Sequence, residues 1–430
     1  MSETLAARTL TPDAHLGRKR SAALTLNIQT QKWVDRWLGI PCCAALSAWH
    51  GTWNFFQHNP SPKPQPKRIL VILLSELGSL VLSEPMLGRL RKRYPDADIY
   101  MLLFARNRQV LDLLSVVKPE HVLAIRDDSA MHLLIDLWHS IRRMRSIGID
   151  TVIDCELFAR CSALISGCSG AMRRIGFHRH SQEGLYRGSF HTSPVPYNPY
   201  RHLSLQLISL VDAIESSETP RAKSDLVTGP FAPPTFIPGL GEVDREIDQL
   251  HGDYPQIIGK KLVLLYPSGG LLPIRTWPLE YFVAVAKALL QDGCAIGVIG
   301  LPDDRMLAES LLRACENNDH CINLAGYTRS IRHLLCIFER SDLLITNDGG
   351  PGQVAAMTHI PTIVFFGPET PLLYGSWSPF AHVFYTPLPC SPCLTAYNHR
   401  TSPCDGDNQC LKRIAPESVL AKARELLIIR

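Results

Sequence analysis

The chain has 430 residues, with 44 Lys and Arg against 40 Asp and Glu for a net charge of +4, and 46% of its residues are hydrophobic. That length is a prior for two or three domains of roughly 100–200 residues, the apolar fraction is ample for buried cores, and disordered and fibrous classes are excluded. So small a charge over such a length is no footprint for nucleic acid, which is met by a concentrated basic face.

The 13 cysteines are odd in number, and nine of them, Cys155, Cys294 and Cys336 among them, are scattered through apolar segments. Those nine read as reduced thiols of a cytoplasmic protein, not as a secreted disulfide framework. No uninterrupted apolar run approaches the roughly 18 residues a spanning helix needs. The basic run Gly17-Arg18-Lys19-Arg20 is followed by an apolar stretch that Asn27 and Gln29 interrupt, and no A-x-A cleavage site follows, so no signal peptide is read.

Residues 1–67 form an N-terminal extension. Trp33, Trp37, Trp49 and Trp53 lie in it beside Lys32, Asp35 and Arg36. Two readings stay open: an aromatic helix packed on the main body, or an interfacial anchor whose tryptophans sit at headgroup depth, giving peripheral contact with the inner membrane. Pro60, Pro62, Pro64 and Pro66 then remove backbone donors and make an extended linker.

From Ile69 to Leu74 the sequence is wholly apolar, long enough for a buried strand and too short for a helix. A loop at Ser75-Glu76-Leu77-Gly78-Ser79, a helical pattern through Leu87 and Leu90 to Arg93 and a strand at Ile99 to Phe104 follow. Further strands are predicted at Val122 to Ile125, Thr151 to Asp154 and Arg174 to Phe177, so residues 68–215 alternate strand and helix as a parallel sheet requires. Residues 216–260, rich in Ser, Pro, Gly and charge, read as a connection. A second α/β series fills residues 261–430, with strands at Lys261 to Tyr266, Ala295 to Ile299, near Ile322, Leu343 to Thr346 and Thr362 to Phe366. The carboxyl ends of two such sheets line one crevice, where ligands of open α/β sheets bind.

Four strand-end loops carry the candidate chemistry. In the first, Glu76 stands directly after a buried strand, beside a glycine and a helix start, and is placed to act as a general base; its plain alternative is an interaction with that helix. In the second, Ser268 and Gly269 open backbone amides, and Arg275 supplies a permanent charge suited to a diphosphate. The third, Asn347-Asp348-Gly349-Gly350-Pro351-Gly352-Gln353, opens a helix whose first amides attract phosphate, while Asp348 either orients a sugar hydroxyl or holds the loop. The fourth is Phe366-Gly367-Pro368-Glu369. Each alone is an ordinary turn; their order and spacing together are more specific.

Val71 to Pro95, Tyr266 to Phe282 and Ile345 to Pro371 together resemble glycosyltransferase family 9, the heptosyltransferases of lipopolysaccharide core, over roughly residues 68–430. Arg275, Trp277 and Pro278 match the family's Lys/Arg-x-Trp-Pro element, and Asn347, Asp348, Gly350 and Pro351 match its Asn-Asp-Ser-Gly-Pro loop. Ser79 stands where the family has its catalytic Asp, and Gly352-Gln353 where it has Met-His. The resemblance implies a GT-B fold of two Rossmann-like domains, with acceptor on the first and nucleotide-sugar on the second. It also implies inverting transfer of a sugar, heptose by analogy, from a nucleoside-diphosphate donor to a cell-envelope glycan or lipopolysaccharide acceptor, with no cofactor required. Donor contacts fall on Ser268, Gly269, Arg275, Asp348, Gly349, Gly350 and Gln353, and the base passes to Glu76. The two changed positions keep a second class open: a catalytically degenerate nucleotide-sugar-binding protein or envelope-assembly scaffold.

Cys390, Cys393, Cys404 and Cys410 have the spacing C-x2-C-x10-C-x5-C in a Pro-containing loop, residues 390–410. Four thiolates so spaced suit a structural zinc or an iron-sulfur cluster; free thiols and disulfides are the alternatives. His178, His180 and His191 lie among arginines that include Arg173, Arg174 and Arg187, which reads as a solvated basic loop or a site for a phosphorylated acceptor.

Overall fold

A computed structural model describes residues 28–56, 64–74, 77–178, 185–221, 223, 229–398 and 400–429. Among them twelve strands form two six-stranded sheets, and every strand pairing is parallel. The first sheet holds β1 (Arg68–Ile72), β2 (Asp98–Phe104), β3 (Val122–Ile125), β4 (Thr151–Asp154), β5 (Arg173–His178) and β6 (Ser193–Pro196), in the order β3-β2-β1-β4-β5-β6. The second holds β7 (Leu262–Tyr266), β8 (Ala295–Gly300), β9 (Cys321–Ala325), β10 (Leu343–Asn347), β11 (Thr362–Phe366) and β12 (Ala381–Tyr385), in the order β12-β11-β10-β7-β8-β9. In both sheets the chain builds one side, returns to the centre and builds the other. The strand order therefore reverses between β1 and β4 and between β7 and β10, which is where an open α/β sheet leaves its ligand crevice.

The helices follow from the same sequence. Two, α1 (Ile28–Trp37) and α2 (Gly39–Phe56), precede the first sheet. Within it run α3 (Leu77–Leu82), α4 (Glu84–Arg93), α5 (Arg108–Leu114), α6 (Ala130–Ile147), α7 (Arg160–Cys168) and α8 (Leu203–Asp212). After α9 (Glu242–Asp253), in the connecting stretch, come α10 (Leu279–Gln291), α11 (Arg305–Ala314), α12 (Ile331–Arg340), α13 (Gly350–Ala355), α14 (Pro371–Tyr374), α15 (Gln409–Lys412) and α16 (Pro416–Ile429). Their ends obey local rules. Ser129 caps α6 by accepting from the His132 amide at 3.2 Å, and α6 stops at Gly148, whose φ of +74° is open to glycine. Central strands β1, β7, β10 and β11 are apolar along nearly their whole length because helices cover both faces.

Three local features differ from the sequence expectation. The helix predicted through Leu87 and Leu90 is two helices, α3 and α4, parted at Ser83 because Pro85 lacks the amide a continuous helix would use. Two edge strands were not predicted. β6 contains Pro194 and Pro196, which only an edge position tolerates, and β12 is half-exposed.

The described helices of the extension, α1 and α2, are packed on the body. Cys43 of α2 is buried against Ala163 and Phe190. Asp35 of α1 accepts from the amides of Arg160 and Cys161 at the start of α7, both at 2.9 Å, and pairs with the Arg160 guanidinium at 3.2 Å. A carboxylate there satisfies two orphan amides and the helix dipole at once. Trp33, Trp37 and Trp49 nevertheless stay exposed. No helix among the described residues is long and apolar enough to cross a membrane.

In the basic segment of the sequence, Arg173, Arg174, Arg187 and His191 are buried. Arg187 is fully buried against Asp154 at the end of β4, with the buried His191 ring 3.6 Å from the same carboxylate. Burial works most strongly against a charge on Asp154, but Arg187, His191 and Ser162 together outweigh it and hold the carboxyl below its usual range. Arg174 donates to the Phe190 carbonyl at 2.8 Å. These groups build structure, and neither a solvated loop nor a phosphate-facing one describes them; His180 lies outside the described residues.

Candidate functional site

The candidate loops leave the strands that flank the two reversal points, β1 in the first sheet and β7 and β10 in the second, and the neighbouring β11. After β7 the chain turns at Ser268-Gly269-Gly270. A Cβ on Gly269 would stand 2.5 Å from Thr276 Oγ1 and 2.9 Å from the Leu272 carbonyl, so only glycine fits. A single 3₁₀ turn, Pro273–Arg275, then delivers Trp277 into the core. Trp277 is fully buried, stacks on Phe365 at 4.3 Å and donates through Nε1 to the Ile414 carbonyl at 3.0 Å. The Arg-x-Trp-Pro element thus anchors its tryptophan so that Arg275, two residues earlier, faces the crevice side of the sheet.

Asn347, wholly buried at the end of β10, fastens this loop to the next. Its Nδ2 donates to the Ser268 carbonyl at 3.1 Å, and its Oδ1 accepts from the Trp277 amide at 2.8 Å. Asp348 follows, its amide donating to the Phe365 carbonyl at 3.0 Å. Gly349 is extended, and Gly350 begins α13, in whose first turn the amides of Gly350 and Gly352 have no acceptor within the helix.

Arg275 lies in a set of four charges, of which it, Asp348 and Glu369 are buried and Arg400 half-buried. Its Nη2 is 2.9 Å from Glu369 Oε2, and its Nε is 3.8 Å from Asp348 Oδ2. The second Glu369 oxygen is 3.1 Å from Arg400 Nε, and the Arg400 guanidinium stands 5.2 Å from the Tyr374 ring. Two guanidinium groups and two carboxylates therefore neutralise one another where four loops meet. Gln353 donates through Nε2 to the Tyr374 carbonyl at 2.7 Å, while its buried Oε1 makes no hydrogen bond among the described residues.

Across the crevice, α3 lies against α13. A Cβ on Gly78 would stand 2.8 Å from Gln353 Cγ, so glycine lets the first loop reach the donor-side helix. Ser79, on α3, is buried. Glu76 lies outside the described residues. A second carboxylate, Glu156, stands at the exit of β4 on the other side of the reversal point, with Oε1 accepting from the Leu74 amide at 2.6 Å.

Of the residues singled out from sequence, Ser268, Gly269, Arg275, Asp348, Gly349, Gly350 and Gln353 all fall on the exits of β7 and β10 and the start of α13. Arg275 and Asp348 are brought face to face. Glu369, Arg400 and Glu156 were not singled out. Glu369 had a signal, its place in the fourth strand-end loop; Arg400 and Glu156 had none, because only the fold brings them to the crevice.

The cysteine loop departs from the expected zinc or iron-sulfur set. All four cysteines are free thiols, and among the described residues no three His, Cys, Asp or Glu side chains are gathered as a metal would need. Cys393 accepts from Ser402 Oγ at 3.1 Å, the Cys404 thiol turns to Asp405 and Asn408, and Cys410 is buried against Gly367, with burial raising its thiol to about 11. The loop brings Arg400 to Glu369, and its Tyr397 packs on Phe158 and Tyr197 of the first half.

Residues 137–402 match the model for glycosyltransferase family 9 (heptosyltransferase). The chain is 23% identical over 360 residues to lipopolysaccharide heptosyltransferase 3 of Escherichia coli K12, covering 81% of this chain and 95% of that one. It is 24% identical over 373 residues to lipopolysaccharide heptosyltransferase 2 of Salmonella typhimurium, covering 84% and 98%. Among solved structures, E. coli ADP-heptose lipopolysaccharide heptosyltransferase II superposes with a TM-score of 0.66 at 21% identity over 84% of this chain and 99% of that one. A heptosyltransferase of E. coli solved with ADP gives 0.57 at 15% identity over 84% and 99%. The two facing parallel sheets are thus the expected GT-B arrangement.

Proposed function

Because the chain belongs to glycosyltransferase family 9, the heptosyltransferases, we propose that it moves a heptose, with inversion, from a nucleoside-diphosphate donor to a lipopolysaccharide-type acceptor. The reading is carried by one arrangement: Arg275 and Asp348, held by Glu369 and Arg400, at the β7 and β10 exits beside the first turn of α13. Residues 261–430 form the donor half and residues 68–215 the acceptor half, linked by residues 216–260. The donor's diphosphate lies between Arg275 and the amides of Gly350 and Gly352, with Ser268 and Gly269 letting it approach the backbone and Gln353 donating where the family has a cation. Adenine is the first base to test, since a relative was solved with ADP.

In the transfer, the acceptor hydroxyl gives its proton to Glu76 as its oxygen attacks the anomeric carbon. The bond from that carbon to the phosphate oxygen breaks, and the departing nucleoside diphosphate keeps the electron pair, stabilised by Arg275 and the α13 amides. Asp348 orients donor hydroxyls. The reaction takes place on the cytoplasmic side, with α1 and its exposed tryptophans resting on the inner membrane.

Titration calorimetry with ADP, UDP and GDP, repeated on Arg275→Ala and Asp348→Ala, tests the donor half. Binding of one nucleotide that both substitutions weaken, with turnover of its heptose conjugate on a lipopolysaccharide acceptor, is the expected result; absence of binding by all three overturns the reading. The serine at position 79, in place of the family's aspartate, favours a second reading, a donor-binding protein without turnover. Nucleotide binding without transfer would select it.

A further inference from the structure

Between the packed extension and the first sheet lies a cavity of about 580 Å³, within the range of sites that enclose a small ligand. Leu38 and Cys42 of the extension, Leu134 and Leu137 of α6 and Leu164 of α7 line it, and its inner end reaches Ser79 of the crevice.

Its charged lining residues are engaged with the protein. Asp35 is held by Arg160 and the α7 amides, Arg106 by Asp127, Glu156 by the Leu74 amide and Arg400 by Glu369, and Lys32 donates to the Arg400 carbonyl at 3.1 Å. What remains for an occupant is aliphatic wall. A sugar or nucleotide would lose water there and gain few hydrogen bonds, whereas a hydrocarbon chain would lose nothing.

The outer end opens on an apolar surface. Leu38, between α1 and α2, and Leu134 of α6 line the cavity and are also 57% and 67% exposed, and beside them Trp37 at the end of α1 and Trp138 of α6 are 58% and 54% exposed. Each tryptophan carries an arginine over its ring, Arg36 at 5.8 Å and Arg142 at 4.6 Å. Tryptophan paired with a cation is the composition found at headgroup level. The cavity therefore runs from a surface fit for a bilayer to the crevice where the acceptor hydroxyl must sit.

We infer that this cavity seats an acyl chain of the acceptor, drawn from the membrane while its sugar enters the crevice. The inference rests on the transferase reading for the identity of the acceptor. It makes the substrate an acylated glycan and the extension a substrate-binding element.

A long-chain fluorescent fatty acid reports the seat directly. The full chain is expected to enhance its emission, acylated lipopolysaccharide acceptor to displace it, and the same acceptor stripped of its acyl chains to leave it bound. Cys42→Phe and Leu137→Phe, each filling the cavity, are expected to weaken the probe and raise the KM for acylated acceptor by about tenfold, with unchanged denaturation midpoints, ADP affinity and KM for the stripped acceptor. The inference is overturned if the chain does not bind the probe, if both acceptors displace it equally, or if phosphatidylglycerol vesicles displace it and the acceptor does not. Loss of displacement with ADP binding retained would remove this inference alone; loss of ADP binding with acyl displacement retained would remove the transferase reading alone.

Discussion

Arg275 and Glu369 meet at 2.9 Å with side chains only 6% and 3% exposed, so the cation proposed for the donor's diphosphate is fixed by a carboxylate from the β11 exit loop, two strands away in the sheet. Glu369 also holds Arg400. Removing it takes one of the two carboxylates from this set and leaves the buried Arg275 guanidinium with Asp348 as its acid at 3.8 Å, and stranding a buried charge is costly where replacing the whole pair is not. Glu369→Ala is expected to lose about 3 kcal/mol in urea denaturation, and Glu369→Gln, which keeps an acceptor in place, clearly less. A Glu369→Ala variant as stable as the parent would show that Arg275 does not depend on this carboxylate.

Asn347 joins the β7 and β10 exit loops through two hydrogen bonds from one buried amide. Asn347→Ala leaves the Trp277 amide and the Ser268 carbonyl buried without that partner, with an expected cost of about 2–3 kcal/mol. Asn347→Asp is expected to be no milder, since a carboxylate can accept from Trp277 but cannot donate to Ser268. Denaturation midpoints test both, and near-ultraviolet circular dichroism of the stacked Trp277 shows whether the loop has moved.

The proton acceptor is tested by two carboxylates at adjacent strand exits. Glu76→Gln is expected to lower kcat by about 10²–10⁴-fold at unchanged nucleotide affinity, the range of a lost general base. Glu156→Gln can still accept from the Leu74 amide and is expected to keep kcat within a few-fold. Ser79→Ala should do the same. The reverse pattern, with Glu156→Gln inactive and Glu76→Gln active, would move the base to the β4 exit.

The sheets were legible because parallel strands covered on both faces are written as unbroken apolar runs, as in Ile69 to Leu74 and Ile363 to Phe366. The edge strands were not, since β6 needs prolines that argue against a strand and β12 keeps one face half wet. Arg275 and Asp348 were visible as members of contiguous loops. Their partners are a different matter: Arg400 comes from a cysteine-rich loop read for its metal-like spacing, and nothing local marks it as a neighbour of Glu369. Likewise the arginine-rich stretch around Arg187 looked like surface, because burying an arginine depends on a distant carboxylate, Asp154, that sequence does not pair with it.

His202 joins the two halves, and its protonation state decides the strength of the joint. Its Nε2 donates to the Gly375 carbonyl at 2.8 Å, its Nδ1 accepts from the Ser204 amide at 3.3 Å, and the Trp377 ring packs on it at 4.3 Å. Only the neutral ring can do both. Burial lowers its pKa below 6.5, against the opposing pull of the Gly375 carbonyl. On acidification the unfolded chain thus takes up its proton near 6.5 while the folded ring stays neutral. The stability this group contributes is whole above that pH and declines as pH falls through the lower folded value. Buried His191 and His333, also lowered by burial, add to the same slope. Urea midpoints measured from pH 7 to pH 5 are expected to fall, and His202→Gln, which removes one of the titrating groups, to fall less steeply; equal slopes would mean that His202 is protonated in the folded chain.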